Sequence, residues 1–304
     1  MILVAGGTGT LGSRLVSLLA ERGEQVRVLT RDRARAARVD ARAEVAVGDT
    51  GDQEALRRAA TGARTVVSAI HGFAGTRGAS PASVDRDGNR NLIRAALAAG
   101  AGHMILISVR DASPGHPMAL MRMKYAAEQE LTASGLAWTI IRPSAFIETW
   151  CEVLGRPLLE KGKTMVFGRG ANPINWVSAW DVARFADLAV ADPALCGRVI
   201  EVGGPENLTM TEFAGAFQRE TGANGRIGHI PRPLMRLGSA LARPINPAMA
   251  RQIQAGLIMD TQPQASDASA TCRDYPPIPV TSLAAVVKRN FGQPADGLRA
   301  TTDQ

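Results

Sequence analysis

A short apolar run, residues 2–5, passes directly into a glycine cluster and then into a helical pattern carrying Leu15, Val16, Leu18 and Leu19. The spacing predicts strand, tight turn and helix, with Gly6, Gly9 and Gly12 in the turn. Such a turn brings backbone N–H groups and the positive end of a helix up to a bare concavity, which suits a pyrophosphate. Gly6 and Gly9 let backbone approach a ligand with no Cβ in the way, and Gly12 lets the helix pack closely on the strand. A glycine triplet alone is a weak signal. Between a strand and a helix, with a second strand following, it reads as a dinucleotide-binding turn rather than a purely structural one.

At 304 residues the chain can bury one large core, or a cofactor domain with a smaller partner. Cys151, Cys196 and Cys272 are odd in number, far apart and not grouped with histidines, which implies a reducing compartment and no metal site. The first strand begins at residue 2, leaving no room for a signal peptide, and no apolar run is long enough to span a bilayer. The expectation is a cytoplasmic protein with no membrane partner. The net charge of +7 raises nucleic acid as a partner, but the arginines are scattered along the whole chain. The densest patch, residues 31–42, places Arg31, Arg35, Arg38 and Arg42 at helical spacing and reads as a solvated helix face. No nucleic-acid partner is expected.

The second strand, residues 25–30, ends in Thr30 and Arg31, where NAD-selective sites carry an acid for the ribose 2′-hydroxyl. A guanidinium there pairs with a 2′-phosphate through parallel bonds, so NADP(H) is favoured over NAD(H). Asp32 complicates the reading, unless it caps the next helix. Further strands are predicted at 43–47, 65–69, 103–107, 137–141 and 198–204, with helices at 52–60 and 82–99 between them. Alternation at this spacing predicts an α/β fold with a doubly wound parallel sheet covered on both faces. A strand and helix follow within 172–190, and a C-terminal portion opens on a helix capped by Thr211 with Glu212 in its first turn. The polar stretch 261–274 reads as a mobile loop, and the chain after Pro294 as a ragged tail.

Taken together, VAGGTGTLG at the start, GDTGD at 48–52, VDRDGNRNLIRAA at 84–96, the lysine of MRMKYAAEQEL and IIRPSAF at 140–146 resemble an atypical short-chain dehydrogenase/reductase. The similarity is to the NmrA-like NAD(P)-binding group, which includes quinone and phenylpropanoid reductases and cofactor-sensing regulators. It runs from residue 1 to about 230 and is loose beyond. The resemblance implies a Rossmann domain from residues 1–147 and 172–203, and a substrate-binding part from 148–171 and 204–304. It implies that Gly6, Thr8, Gly9, Thr10 and Leu11 line the pyrophosphate. Arg31 then meets the 2′-phosphate, Asp49 the adenine amino group, Ala69 and Ile70 the adenosine ribose region, and Pro143, Ser144, Ala145 and Phe146 the nicotinamide.

The wider family uses a tyrosine four residues before a lysine, which puts phenol and ammonium on one helix face. Here Leu120 stands four residues before Lys124, and Tyr125 points about 100° away around the helix. Ser108 ends strand five near the family's usual serine or threonine. Without the phenol, Lys124 orients cofactor and supplies positive charge, and His116 is the first candidate proton donor. His71 is the second, beside the substrate, while His103 and His229 read as structural. Phe146, Trp150 and Trp176 either wall a flat apolar substrate or fill a core. The expected function is NAD(P)H-dependent reduction of a small quinone, enone or other conjugated carbonyl. The alternatives are an NADP(H)-sensing regulator without turnover, and an NAD(P)-dependent epimerase or dehydratase. A homodimer is compatible with this reading.

Overall fold

The computed structural model describes residues 1–37, 39–74, 78–267, 274–275 and 278–291. The chain begins β1 (Ile2–Ala5), α1 (Thr10–Glu21), β2 (Val26–Thr30), α2 (Arg33–Ala36), β3 (Glu44–Val47), α3 (Gln53–Ala60) and β4 (Thr65–Ser68). A π-helical turn, Pro81–Gly88, runs into α4 (Asn89–Ala98), then β5 (His103–Ile107), α5 (Ala119–Thr132), β6 (Ala137–Pro143) and the short β7 (Ala145–Phe146). Next come α6 (Ile147–Trp150), α7 (Arg156–Lys161), β8 (Lys163–Phe167), β9 (Ile174–Val177), α8 (Ala179–Ala191), β10 (Arg198–Val202) and β11 (Glu206–Leu208). The last elements among the described residues are α9 (Met210–Thr221), β12 (Arg226–Ile230), α10 (Arg232–Ala242), α11 (Pro247–Thr261) and α12 (Leu283–Phe291).

Seven parallel strands form the central sheet in the order β10-β6-β5-β4-β1-β2-β3. Every residue of β1 and β4 is buried, as a strand covered on both faces requires, whereas edge strand β3 is partly exposed throughout. One face is covered by α1 and α8, which pack Leu15, Val16 and Leu19 against Val182, Phe185 and Ala186. The other face is covered by α3, α4 and α5, through Leu56, Leu92, Ile93, Ala127 and Leu131. The doubly wound parallel sheet is therefore present.

A separate core forms around Ile147, Trp176, Phe213, Phe217 and Val287. It includes Ile174 and Trp176 of β9, while Val177 belongs to the core under the large sheet. Two small sheets frame it, β11-β9-β7 and the parallel pair β12-β8.

Three local expectations change. The arginine-rich segment 31–42 forms only the four-residue α2; Arg42 instead pairs with Asp40 across a turn, and Arg38 lies outside the described residues. The cap of α9 is Thr209, not Thr211: the Thr209 hydroxyl accepts from Glu212 N while the Glu212 carboxylate accepts from Thr209 N. That reciprocal box needs a cap three residues before the glutamate, which Thr211 is not. The helix expected at 82–99 begins as a π-helical turn, capped by Ser80, before becoming regular at Asn89. The loop expected at 261–274 lies partly, and Cys272 and the tail after Pro294 wholly, outside the described residues.

Candidate functional site

The strand order reverses at β1 and β4, so a crevice opens beyond their carboxyl ends. Gly6 leaves β1 with φ of +82°, and a Cβ there would stand 2.6 Å from the Ala69 carbonyl oxygen. A Cβ at Gly12 would stand 2.2 Å from the Gly6 carbonyl oxygen, so α1 seats on the turn only without a side chain. Gly9 is different. Its Cβ would touch only Gly6 O, at 3.3 Å, and its own position lies on the cleft. Gly6 thus meets a packing demand from the neighbouring strand, and Gly9 is the position kept bare toward a ligand. Gly9 also caps α1 with no side-chain bond, leaving the first-turn N–H groups without a capping acceptor. Uncapped donors at the positive end of a helix, beside a bare backbone, fit a pyrophosphate.

From this turn a groove of ≈ 170 Å³ runs over the ends of β2 and β3, lined among others by Thr8, Arg31, Arg35 and Asp49. Arg31 Nε lies 3.7 Å from Asp49 Oδ2, and Asp49 Oδ1 accepts from Gly51 N at 2.8 Å. The Asp32 carboxylate accepts from Ala34 N at 3.0 Å, so the acid that complicated the cofactor reading is a cap for α2. Arg35 joins Arg31 on the groove wall. The sequence had placed it on a solvated face; its presence on α2, one turn beyond Arg31, is what brings it round.

In the other direction lies a cavity of ≈ 370 Å³ that shares Gly9, Ala69, Ile70 and His71 with the groove. Thr10 and Leu11, the segment 107–111 after β5 and Pro143 to Phe146 after β6 line one side. The opposite side is α11, through Gln252, Ala255, Gly256 and Met259. The wall between is apolar: Phe73, Met118, Leu120, Met121, Phe146 and Trp150. Leu120 therefore does occupy the cavity four residues before Lys124, and Tyr125 is not among the lining residues.

Helix α5 turns Lys124, Ala127, Glu128 and Leu131 inward, which puts two charged residues on its buried face. Both are paired. Lys124 Nζ donates to Ile70 O at 2.8 Å and Ile107 O at 2.9 Å, and stands 3.2 Å from Asp85 Oδ1. Two of its hydrogens thus have carbonyl acceptors, while Asp85 Oδ1 meets the ammonium by charge and takes no hydrogen bond. Asp85 is wholly buried, and its second oxygen accepts from Gly72 N at 2.8 Å. Asp85 has no role that the VDRDGNRNLIRAA motif by itself assigns. The available signal was an aspartate four residues before Asn89 on the inward side of the same turn. Glu128 accepts from Arg142 at 2.6 and 3.0 Å, and Ser108 Oγ donates to Glu128 Oε1. The Ser108 hydroxyl is on the cavity wall with its hydrogen already committed.

Two expected site residues are not brought to the cavity. Trp176 is fully buried in the second core, its indole N–H donating to Leu208 O at 2.8 Å, so it packs the protein and not a substrate. Trp150 reaches the cavity and stacks edge-on against Trp176 with ring centroids 5.5 Å apart. His116 is likewise absent from the lining; its Nδ1 accepts from Met118 N at 3.0 Å, fixing it at the entry to α5. His71 does border both the groove and the cavity. The residue keeps surface open to solvent, yet desolvation by the surrounding protein lowers its pKa, with Asp85 opposing and Lys124 adding to the shift.

Burial also lowers the pKa of His103 and His116, so all three imidazoles protonate less readily here than at the ordinary value of 6.5. The unfolded chain takes up these protons first as pH falls, so their stability is complete above pH 6.5 and is lost below it through the folded values. Thermal melts from about pH 8 to about pH 5 should show Tm falling in the lower part. The combined His71→Gln, His103→Gln and His116→Gln variant should flatten that slope. An equal slope in the variant would mean other groups carry it.

A family model described as NAD(P)H-binding matches residues 6–193. An NAD(P)H azoreductase of Xenophilus azovorans is 32% identical over 225 residues, 73% of this chain and 74% of that protein. A photosystem II assembly factor of a Synechocystis strain is 29% identical over 243 residues, 80% of this chain and 74% of that protein. An NADPH-dependent quinone oxidoreductase of Escherichia coli, solved with NADPH, matches with a TM-score of 0.75 at 23% identity, over 96% of this chain and 100% of that one. That likeness is one of fold. Among the described residues no helix is long and apolar enough to cross a membrane.

Proposed function

This chain belongs to the NAD(P)H-binding family, and on that premise we propose that it is an NADPH-dependent reductase of flat conjugated acceptors: quinones, enones or azo compounds. The observation that carries the reading is the apolar cavity continuous with the nucleotide groove, with Leu120 where a phenol would stand. The bound cofactor supplies a hydride. The chain's own residues bind and orient. Gly9 and the first turn of α1 would hold the pyrophosphate, Arg31 and Arg35 the 2′-phosphate, and Pro143 to Phe146 the nicotinamide end, since these residues line the groove and the cavity that adjoins it. Lys124 and Asp85 lock the end of β4 to the end of β5, keeping Ile70 and His71 at the junction of groove and cavity. His71, with its lowered pKa, is neutral at pH 7 and donates an N–H bond without acting as a strong acid. An acceptor that delocalises its new charge needs no more than this, and its proton follows from water.

NADPH oxidation by the purified protein, assayed with quinones and azo dyes, tests the proposal. Absence of turnover, together with different affinities for NADP+ and NADPH, would transfer the reading to a cofactor sensor. The similarity to an assembly factor favours that second reading, as does an ammonium already bonded to two carbonyls and charge-paired with Asp85. An epimerase or dehydratase acts at a carbinol carbon and needs the acid–base phenol that Leu120 replaces.

NADPH should bind more tightly than NADH, and Arg31→Ala with Arg35→Ala should erase the difference while leaving NADH affinity nearly unchanged. Each charge-assisted bond to phosphate is worth about 1.5–3 kcal/mol. Titration of both cofactors against parent and variant measures this. Equal affinities in the parent would sink the assignment of these arginines.

A further inference from the structure

The C-terminal hairpin has an outer face that nothing in the described structure covers. Helix α11 roofs the cavity, and α10 packs on its outer side, with Ser239 Oγ donating to Ala250 O. Met235 is the one residue of α10 that is buried. On the opposite side Leu234, Leu237 and Leu241 fall at three- and four-residue spacing, 57, 57 and 63% exposed. Ile245 in the turn is 85% exposed and Met249 at the start of α11 is 50% exposed. A contiguous apolar stripe of this kind, edged by polar residues, marks an interaction surface.

Charge decides the occupant. From residue 222 to residue 259 the chain contains no aspartate or glutamate, while it contains Arg226, Arg232, Arg236, Arg243 and Arg251. Arg232 is held by Asp260 and Arg251 bonds to Ala79 O, so both belong to the protein's own framework. Arg236 and Arg243 are exposed and have no ion pair among the described residues. They lie two turns apart, Arg236 in α10 and Arg243 at its C-terminal cap, along one edge of the exposed side, about 100° or more around the helix from the leucines. A second copy docking through a two-fold axis would place this cationic segment on itself, with no acid of the segment between the arginines. An anionic lipid surface meets both features at once: leucine side chains enter the acyl boundary and guanidinium groups reach the headgroup phosphates.

We infer that the exposed side of α10, with Leu234, Leu237, Leu241 and Ile245 and with Arg236 and Arg243 along one edge, docks the protein on the surface of an anionic bilayer. The eleven-residue helix lies in the interface and does not cross it. This departs from the sequence expectation of no membrane partner, which rested on the lack of a spanning segment. The docked orientation sets the hairpin that roofs the cavity against the lipid boundary. The inference does not depend on what the cavity reduces.

Co-sedimentation of the full chain with vesicles tests it. Binding is expected to phosphatidylcholine vesicles containing a minority of phosphatidylglycerol, to weaken as salt rises, and to be far weaker with phosphatidylcholine alone. Arg236→Gln with Arg243→Gln should weaken binding on the order of tenfold. Leu237→Glu with Leu241→Glu should abolish it while NADPH affinity and circular dichroism stay as in the parent, which shows the variant folded. No sedimentation with the anionic vesicles overturns the inference. So does a parent dimer in analytical ultracentrifugation that Leu237→Glu with Leu241→Glu makes monomeric, since the stripe then belongs to a second copy.

Discussion

Lys124→Met is expected to lower stability by about 3–5 kcal/mol, because it leaves the Asp85 carboxylate buried with no cation. Lys124 and Asp85 side chains are 5% and 0% exposed, so water cannot replace the lost partner. The carbonyl oxygens of Ile70 and Ile107 would lose their donor as well. Asp85→Asn should cost less, since it leaves an amide that still bonds, and Lys124→Met with Asp85→Leu should recover much of the loss by removing both charges. Denaturant unfolding of the four proteins measures these differences, and a cofactor titration alongside them reads the effect on the groove. A loss below about 1 kcal/mol in Lys124→Met would mean the ammonium spends its time in the cavity, free for a ligand's ribose.

Quinone reduction should outrun reduction of an unactivated ketone of similar size by roughly 10²–10⁴-fold, the usual worth of a general acid. A ketone becomes a localised alkoxide and needs a proton as it forms, and the cavity wall beside Lys124 is the Leu120 side chain. Leu120→Tyr, which sets a phenol at that wall, should narrow the gap by improving the ketone and not the quinone. Steady-state rates for the matched pair, with parent and Leu120→Tyr proteins, give the ratio directly. Equal rates in the parent would place an acid in the cavity, and His71→Gln would then be the variant that removes it.

Much of the site could be read from the chain because it rests on local rules. A glycine turn between a buried strand and a helix has few uses, so Gly6, Gly9 and Gly12 announced the crevice before any packing was known. Arg31 was legible because it directly follows β2, the strand after the glycine turn, whose carboxyl end borders the crevice beside β1. Leu120 was legible because helical periodicity alone aligns it with Lys124. Each inference spans only a few residues, and backbone geometry over that distance is set by sterics.

Contacts between distant segments decided the rest. Asp85 and Lys124 lie 39 residues apart and meet because a π-helical turn packs on α5. Trp150 and Trp176 look alike in the sequence; one reached the cavity and the other the core because β9 pairs between β7 and β11. His116 was drawn away by a bond to the entry of its own helix. The roof of the cavity comes from α11, whose residues carry no chemical motif and whose position depends on the ion pair between Arg232 and Asp260. Periodicity states which side of an element is apolar. It does not state whether that side faces a core, a cavity or a surface, because burial is a property of what packs opposite, and only the assembled chain supplies that partner.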